Sequence, residues 1–298
     1  MYKRLVPYLQ LCLAAIIIGS SVVAGKLLSS GFPIFLSQAL CLVIAASVLF
    51  PAARWLEGGL SKIRPRDLGL LFLQAFSGLF LFRVFLLYGL KYTSATESGI
   101  ITSSTPAAVV ILSFIFLKER ISWNKIAGTA ATVSGILVIN LLGLSSDSPT
   151  NASSLTGNLL ILLAVICEAS LVILRKFNSV SVPPVTGAAF VALFSFFLFL
   201  PFAVREGAAF DIRSLSLSQG LLIAYYGLVV TALAYILWFS GVSKVPASTA
   251  AVYTGCIPVS SILLSSLFLK EAFTGFHLAG ICLVLAGILF ISLSRPRD

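Results

Sequence analysis

The chain has 298 residues, of which 59% are apolar and 10% charged, with a mean hydropathy of +1.07, and this composition excludes an ordinary soluble domain. Its formal charge of +10 is scattered over short loops, so no soluble basic face exists to receive a phosphate backbone, and nucleic acid is excluded as a partner. Apolar runs of roughly 20 residues, the length that crosses a hydrocarbon core about 30 Å thick, recur from end to end and make the lipid bilayer the expected surroundings.

In chain order the pattern predicts ten helical spans, at about Val6–Leu28, Phe32–Ala53, Asp67–Leu90, Ser94–Leu117, Ile121–Leu144, Leu155–Leu174, Val182–Phe202, Ser218–Ser240, Pro246–Leu269 and Phe273–Leu293. No sustained alternation of apolar and polar residues runs through them, so helices fit and barrel strands do not. The first span follows "MYKR" and is too long, and too poor in a small-residue cleavage site, to read as a signal peptide. With the N-terminus inside, fourteen Lys and Arg residues fall on the inner side, from Lys3 and Arg4 through Lys118, Arg120 and Lys125 to Arg295 and Arg297. Only five, Lys26, Lys91, Arg205, Arg213 and Lys270, fall outside, and this asymmetry predicts an N-in, C-in, multi-pass topology.

The chain repeats itself. "PAAVVILSFIFLKE" at Pro106–Glu119 returns as "PVSSILLSSLFLKE" at Pro258–Glu271, an offset of 152 that also sets Gly89 on Gly241, Gly128 on Gly280 and Gly135 on Gly287. A weaker correspondence near an offset of 149 places Lys26 against Arg175. Residues 1–148 and 149–298 then form two five-helix domains. Five is odd, so the second copy enters the bilayer upside down relative to the first, an inverted-topology repeat. Leu117-Lys118-Glu119 and Leu269-Lys270-Glu271 thereby end helices on opposite faces, with the Lys expected to satisfy terminal carbonyls and the Glu to begin the next helix.

These paired segments resemble the two EamA-type halves of the drug/metabolite transporter superfamily. The resemblance rests on a proline within the fourth and ninth helices, the Leu-x-Glu that follows and the glycines of the fifth and tenth, and it covers essentially the whole chain. It implies an all-α membrane protein of ten helices, a central cavity lined by spans three, four, eight and nine with help from one and six, and alternating access for small metabolites without a cofactor.

Ionisable groups within spans cost several kcal/mol unless they meet water or a partner, which singles out Arg83, Glu97 and Glu168. Arg83 offers a planar fork to a substrate carboxylate; the alternatives are a structural pair with Glu97 or snorkelling to the interface. It aligns with Tyr235 under the repeat. Glu168 reads as a proton or ammonium site, or as a hydrogen-bonded tie between helices. Ser94, Glu97, Ser104 and Thr105 give the fourth helix a wettable face, and Thr249, Tyr253, Cys256 and Ser260 do so for the ninth. Tyr88, Tyr235, Trp238 and Tyr253 are candidate aromatic walls, equally readable as packing. Pro106 and Pro258 are candidate hinges, and Gly128, Gly135, Gly280 and Gly287 a close-packing ridge. The five cysteines, all in predicted spans without a Cys-x-x-Cys pair, and the single His277 predict no metal site. The expectation is a secondary transporter of a plasma or bacterial inner membrane, a monomer or homodimer, exporting small-molecule substrates, amino acids above all. Transport of choline-like organic cations is the alternative. An intramembrane enzyme is remote, since no catalytic motif is present.

Overall fold

The computed structural model describes residues 2–29, 32–58, 63–92, 101–102, 104–142, 155–178, 182–211, 215–269 and 273–292, and among these there is helix but no strand. The helices are α1 (Tyr2–Ser29), α2 (Ile34–Leu56), α3 (Pro65–Ala75), α4 (Phe82–Tyr92), α5 (Thr105–Leu117), α6 (Trp123–Leu142) and α7 (Leu155–Phe177). They continue with α8 (Pro184–Ala209), α9 (Leu217–Tyr225), α10 (Ala234–Val242), α11 (Ala247–Tyr253), α12 (Cys256–Leu269) and α13 (Gly275–Ser292). A π-helical segment, Phe76–Leu81, joins α3 to α4, and a second, Tyr226–Leu233, joins α9 to α10. Six helical stretches among the described residues have the length and hydropathy to cross a membrane. Large apolar side chains such as Phe114, Ile115, Phe116, Leu267 and Phe268 stand outward, while alanines such as Ala14, Ala45, Ala164 and Ala188 fill the interior. That inversion of the soluble pattern suits helices whose outer solvent is lipid.

The helix contacts carry the symmetry of the repeat. α1 packs against α10 and α12, and its counterpart α7 packs against α4 and α5, so the first helix of each half nests between elements of the other. α2 pairs with α8, and α6 with α13, each element with its own repeat mate. The α6–α13 contact needs glycine on both sides. A Cβ at Gly135 would lie 2.7 Å from the Gly280 carbonyl oxygen, and one at Gly287 would lie 2.6 Å from that of Gly128.

Three helices, α2, α8 and α11, start after prolines, Pro33, Pro183 and Pro246, none of which caps its helix through a side chain. Their first-turn N–H groups would be orphans in a medium with no water to offer. Glutamates at the far ends of other helices take them. Glu57, just past α2, accepts from Val185 N at 2.7 Å, Thr186 N at 2.9 Å and Thr186 Oγ1 at 2.7 Å. Glu206, near the end of α8, returns the contact by accepting from Leu36 N at 2.9 Å. Glu119, just past α5, accepts from Ala247 N at 2.7 Å, Ser248 N at 3.2 Å and Ser248 Oγ at 2.5 Å. The expectation that Glu119 begins the next helix is corrected here, since α6 starts at Trp123.

Lys118 turns the chain at the end of α5 with φ 51°, and the Glu119 N–H reaches back to the Ser113 carbonyl at 3.3 Å, meeting one of the helix's terminal carbonyls. Leu117-Lys118-Glu119 therefore has a division of labour: Leu117 ends the helix, Lys118 takes the left-handed position, and Glu119 caps a helix of the other half, while Lys270 and Glu271 of the second copy lie outside the described residues. Buried Arg175, at the end of α7, donates to the Val182 carbonyl at 3.4 Å, lies 5.1 Å from the Phe239 ring centre and is within electrostatic reach of Glu57. Lys176 donates to the Val245 carbonyl and is within reach of Glu119. The ends of α2, α5 and α7 and the starts of α8 and α11 thus gather at one end of the bundle.

Candidate functional site

The two π-helical segments are repeat mates, and each contains a glycine against which a neighbour closes. A Cβ at Gly78 would lie 2.7 Å from Leu171 Cβ, and one at Gly227 would lie 2.8 Å from Ile44 Cγ2. A π insertion shifts the helix phase and leaves wide turns, a device common at functional sites. Its local sign is visible at Thr231, whose hydroxyl donates to the Tyr226 carbonyl five residues back at 3.0 Å. Within one turn of each segment lies one of the matched pair singled out by the offset of 152: Arg83 in α4 and Tyr235 in α10. The Arg83 guanidinium is in electrostatic reach of both Tyr235 and Cys41. Arg83 is half-buried, and among the described residues it makes no hydrogen bond or ion pair. A partly accessible guanidinium inside a span is suited to an anionic group arriving from outside the protein.

Glu168 stands on the other seam, where α7 meets α5. Its Oε2 is 3.0 Å from Thr105 Oγ1, which also lies 2.8 Å from the Thr102 carbonyl. One hydroxyl proton cannot serve both acceptors at full strength. A protonated Glu168 resolves the conflict by donating to Thr105, which then donates to Thr102. α7 is also tied to the π segment by Ser170, whose Oγ is 2.8 Å from Ser77 Oγ.

The fourth and ninth spans are both interrupted. α11 ends at Tyr253, a turn at Thr254–Gly255 follows, and Pro258 lies in the first turn of α12; Pro106 likewise lies in the first turn of α5, behind a turn at Ser104. A proline there loses no helical hydrogen bond, so it marks the start of a new helical segment more than a kink within one. The break places Cys256 Sγ 4.0 Å from Cys12 Sγ and stacks Tyr253 on Tyr8 with centroids 5.9 Å apart. Gly255 abuts α6 and α13 through Thr132 and Val284.

The remaining sequence candidates divide. Trp238 and Tyr253 are buried in the core, Tyr235 stacks on Phe239 at 6.0 Å, and Ser104 donates its hydroxyl to its own helix at Ile101. Tyr88 is 49% exposed near the end of α4. Glu97 and Ser94 lie outside the described residues. His277 and Thr274 cap the start of α13 reciprocally, Thr274 N donating to His277 Nδ1 at 3.1 Å. Among the described residues no group of three His, Cys, Asp or Glu side chains gathers for a metal ion. An apolar groove between α2 and α8, bordered by Leu36, Val43, Phe196 and Leu200, shares no residue with the ionisable sites. Sequence reading missed the π segments and the glutamate caps. The first carry no compositional mark, while the second were signalled by Glu57, Glu119 and Glu206, each at a span's end.

Comparison with known proteins adds family to geometry. Residues 5–141 and 155–293 each match the EamA-like transporter family. The chain is 42% identical to the uncharacterized transporter YetK of Bacillus subtilis over 99% of its own length and 89% of the relative's. It is 26% identical, over 80% of its own length and 79% of the relative's, to a probable terminal-alkyne amino-acid exporter of Streptantibioticus cattleyicolor. A solved crystal structure superposes with a TM-score of 0.75 over 95% of both chains at 18% identity, a likeness of fold.

Proposed function

The chain belongs to the EamA-like transporter family, and from that premise we propose that it is a secondary carrier exporting amino acids or closely related metabolites across a plasma or bacterial inner membrane. It works by alternating access. Ten spans with both termini inside are part of this reading, supported by the distribution of Lys and Arg. The observation that carries the substrate class is Arg83: a half-buried guanidinium free of described partners, within electrostatic reach of Tyr235, its mate under the repeat. Arg83 takes the substrate carboxylate and Tyr235 orients it. Glu168 supplies the proton or ammonium site on the α5–α7 seam. The exporter relative, named for an amino acid, supports the same class.

The test is labelled exchange and solute-driven charge movement in proteoliposomes, with amino acids, organic cations and phosphorylated metabolites as the panel. Amino-acid flux is expected to fall at least about tenfold in Arg83→Gln, the loss of one charge-assisted contact. In Glu168→Gln flux persists but loses its response to an imposed proton gradient. Flux confined to organic cations and indifferent to Arg83 refutes the assignment in favour of a cation carrier.

A further inference from the structure

The glutamate caps that join the two halves are of two kinds. The α2–α8 pair is clamped at both ends at once, by Glu57 on Val185 and Thr186 and by Glu206 on Leu36. Aromatic contacts fasten it between the clamps, Phe35 to Phe202 at 5.2 Å and Phe50 to Phe190 at 5.4 Å. An antiparallel pair held at both ends opens at neither, so this is a strut. The α5–α11 contact differs. It is clamped at the Glu119 end, and beyond the break at Thr254–Gly255 the span leaves α5, with α12 packing on α1.

Glu119 also has somewhere else to go. Its Oε2 is 3.7 Å from Lys125 Nζ, and Lys176 is within electrostatic reach, so the carboxylate keeps cationic partners when it leaves the helix terminus. Ala247 and Ser248, in turn, lie at the start of a short helix that ends at a turn and can move as a unit. A charge-assisted cap with a nearby alternative partner is a two-position contact.

We propose that the Glu119 cap on Ala247 and Ser248 is a latch that holds the α5–α11 end of the carrier shut and is released when that end opens, whereas the Glu57 and Glu206 caps remain made throughout the cycle. Glu119 is a positioning residue, acting through α11 on access to the site. The inference rests on alternating access and is indifferent to which solute is carried, so its test reads conformation and not flux.

The reporter is Thr249→Cys, whose native side chain is buried directly behind the latch. The full-length protein is treated with a maleimide and labelling of position 249 is read by peptide mass spectrometry, which leaves the native cysteines in place. Adding Glu119→Gln should raise the labelling rate about tenfold, as expected for loss of a charge-assisted contact worth about 1.4 kcal/mol. Adding Glu57→Gln should lower the unfolding temperature and leave the labelling rate unchanged. If Glu119→Gln does not fold, Glu119→Asp, which keeps the charge and shortens the reach, is read in the same way. Unchanged labelling in a folded Glu119 variant, or an equal rise in the Glu57 variant, overturns the latch and reduces all three caps to static structure.

Discussion

Removing Glu57 tests whether one acidic side chain holds the first turn of a helix in the other half. Glu57→Ala deletes the acceptor of three donors, two backbone N–H groups at 2.7 and 2.9 Å and the Thr186 hydroxyl at 2.7 Å. Hydrogen bonds to a charged partner contribute about 1.5–3 kcal/mol each, but Glu57 is only half-buried at the bundle's end and water recovers part of the loss. The net cost is about 3 kcal/mol, comparable to a strong N-cap deletion plus one side-chain bond. For a chain of this size about 2 °C is lost per kcal/mol, so the unfolding midpoint falls by about 6 °C. A thiol-reactive dye follows it, since Cys41 and Cys256 are buried until the fold opens. Glu206→Ala, which frees only Leu36 N, should cost about a third as much. Thr186→Val removes one of the three donors, so its effect and that of Glu57→Ala must not add; a coupling of about 1 kcal/mol is expected in the double-mutant cycle. Strict additivity, or a midpoint shift in Glu57→Ala below about 1 °C, would refute the reasoning.

The other perturbations are simpler. Gly287→Ala drives a methyl group into the Gly128 carbonyl at 2.6 Å, where only backbone can yield, and should destabilise by about 1–3 kcal/mol in the same thermal assay. Lys118→Gly removes a side chain from a left-handed position at φ 51° and should be neutral or raise the midpoint slightly, by no more than about 1 kcal/mol in stability.

What the sequence disclosed follows from what sequence can encode. Lipid imposes hydropathy on every exposed face, so the helices and the repeat were readable, and the four glycines that pair in sequence meet across α6 and α13 in crossed order, Gly135 on Gly280 and Gly287 on Gly128. The π segments were hidden because Phe76–Leu81 and Tyr226–Leu233 differ from the surrounding α-helix by a backbone phase, not by residue type.

The caps give the recurring Leu-Lys-Glu a physical cause. A helix that begins with proline inside a membrane protein gains a rigid entry and loses its own cap, so its N–H groups must be met from elsewhere. In an inverted repeat the C-terminal end of a helix in one half lies beside the N-terminal end of its mate in the other, and one glutamate after the helix stop supplies the acceptor. Where both members of a pair do this, as Glu57 and Glu206 do, the bundle gains a strut. Where the pair is broken by a turn at mid-span, as α11 and α12 are, the same glutamate at the same position becomes releasable. One motif can thus serve scaffold and moving parts alike, the difference lying in whether the helix it caps is continuous.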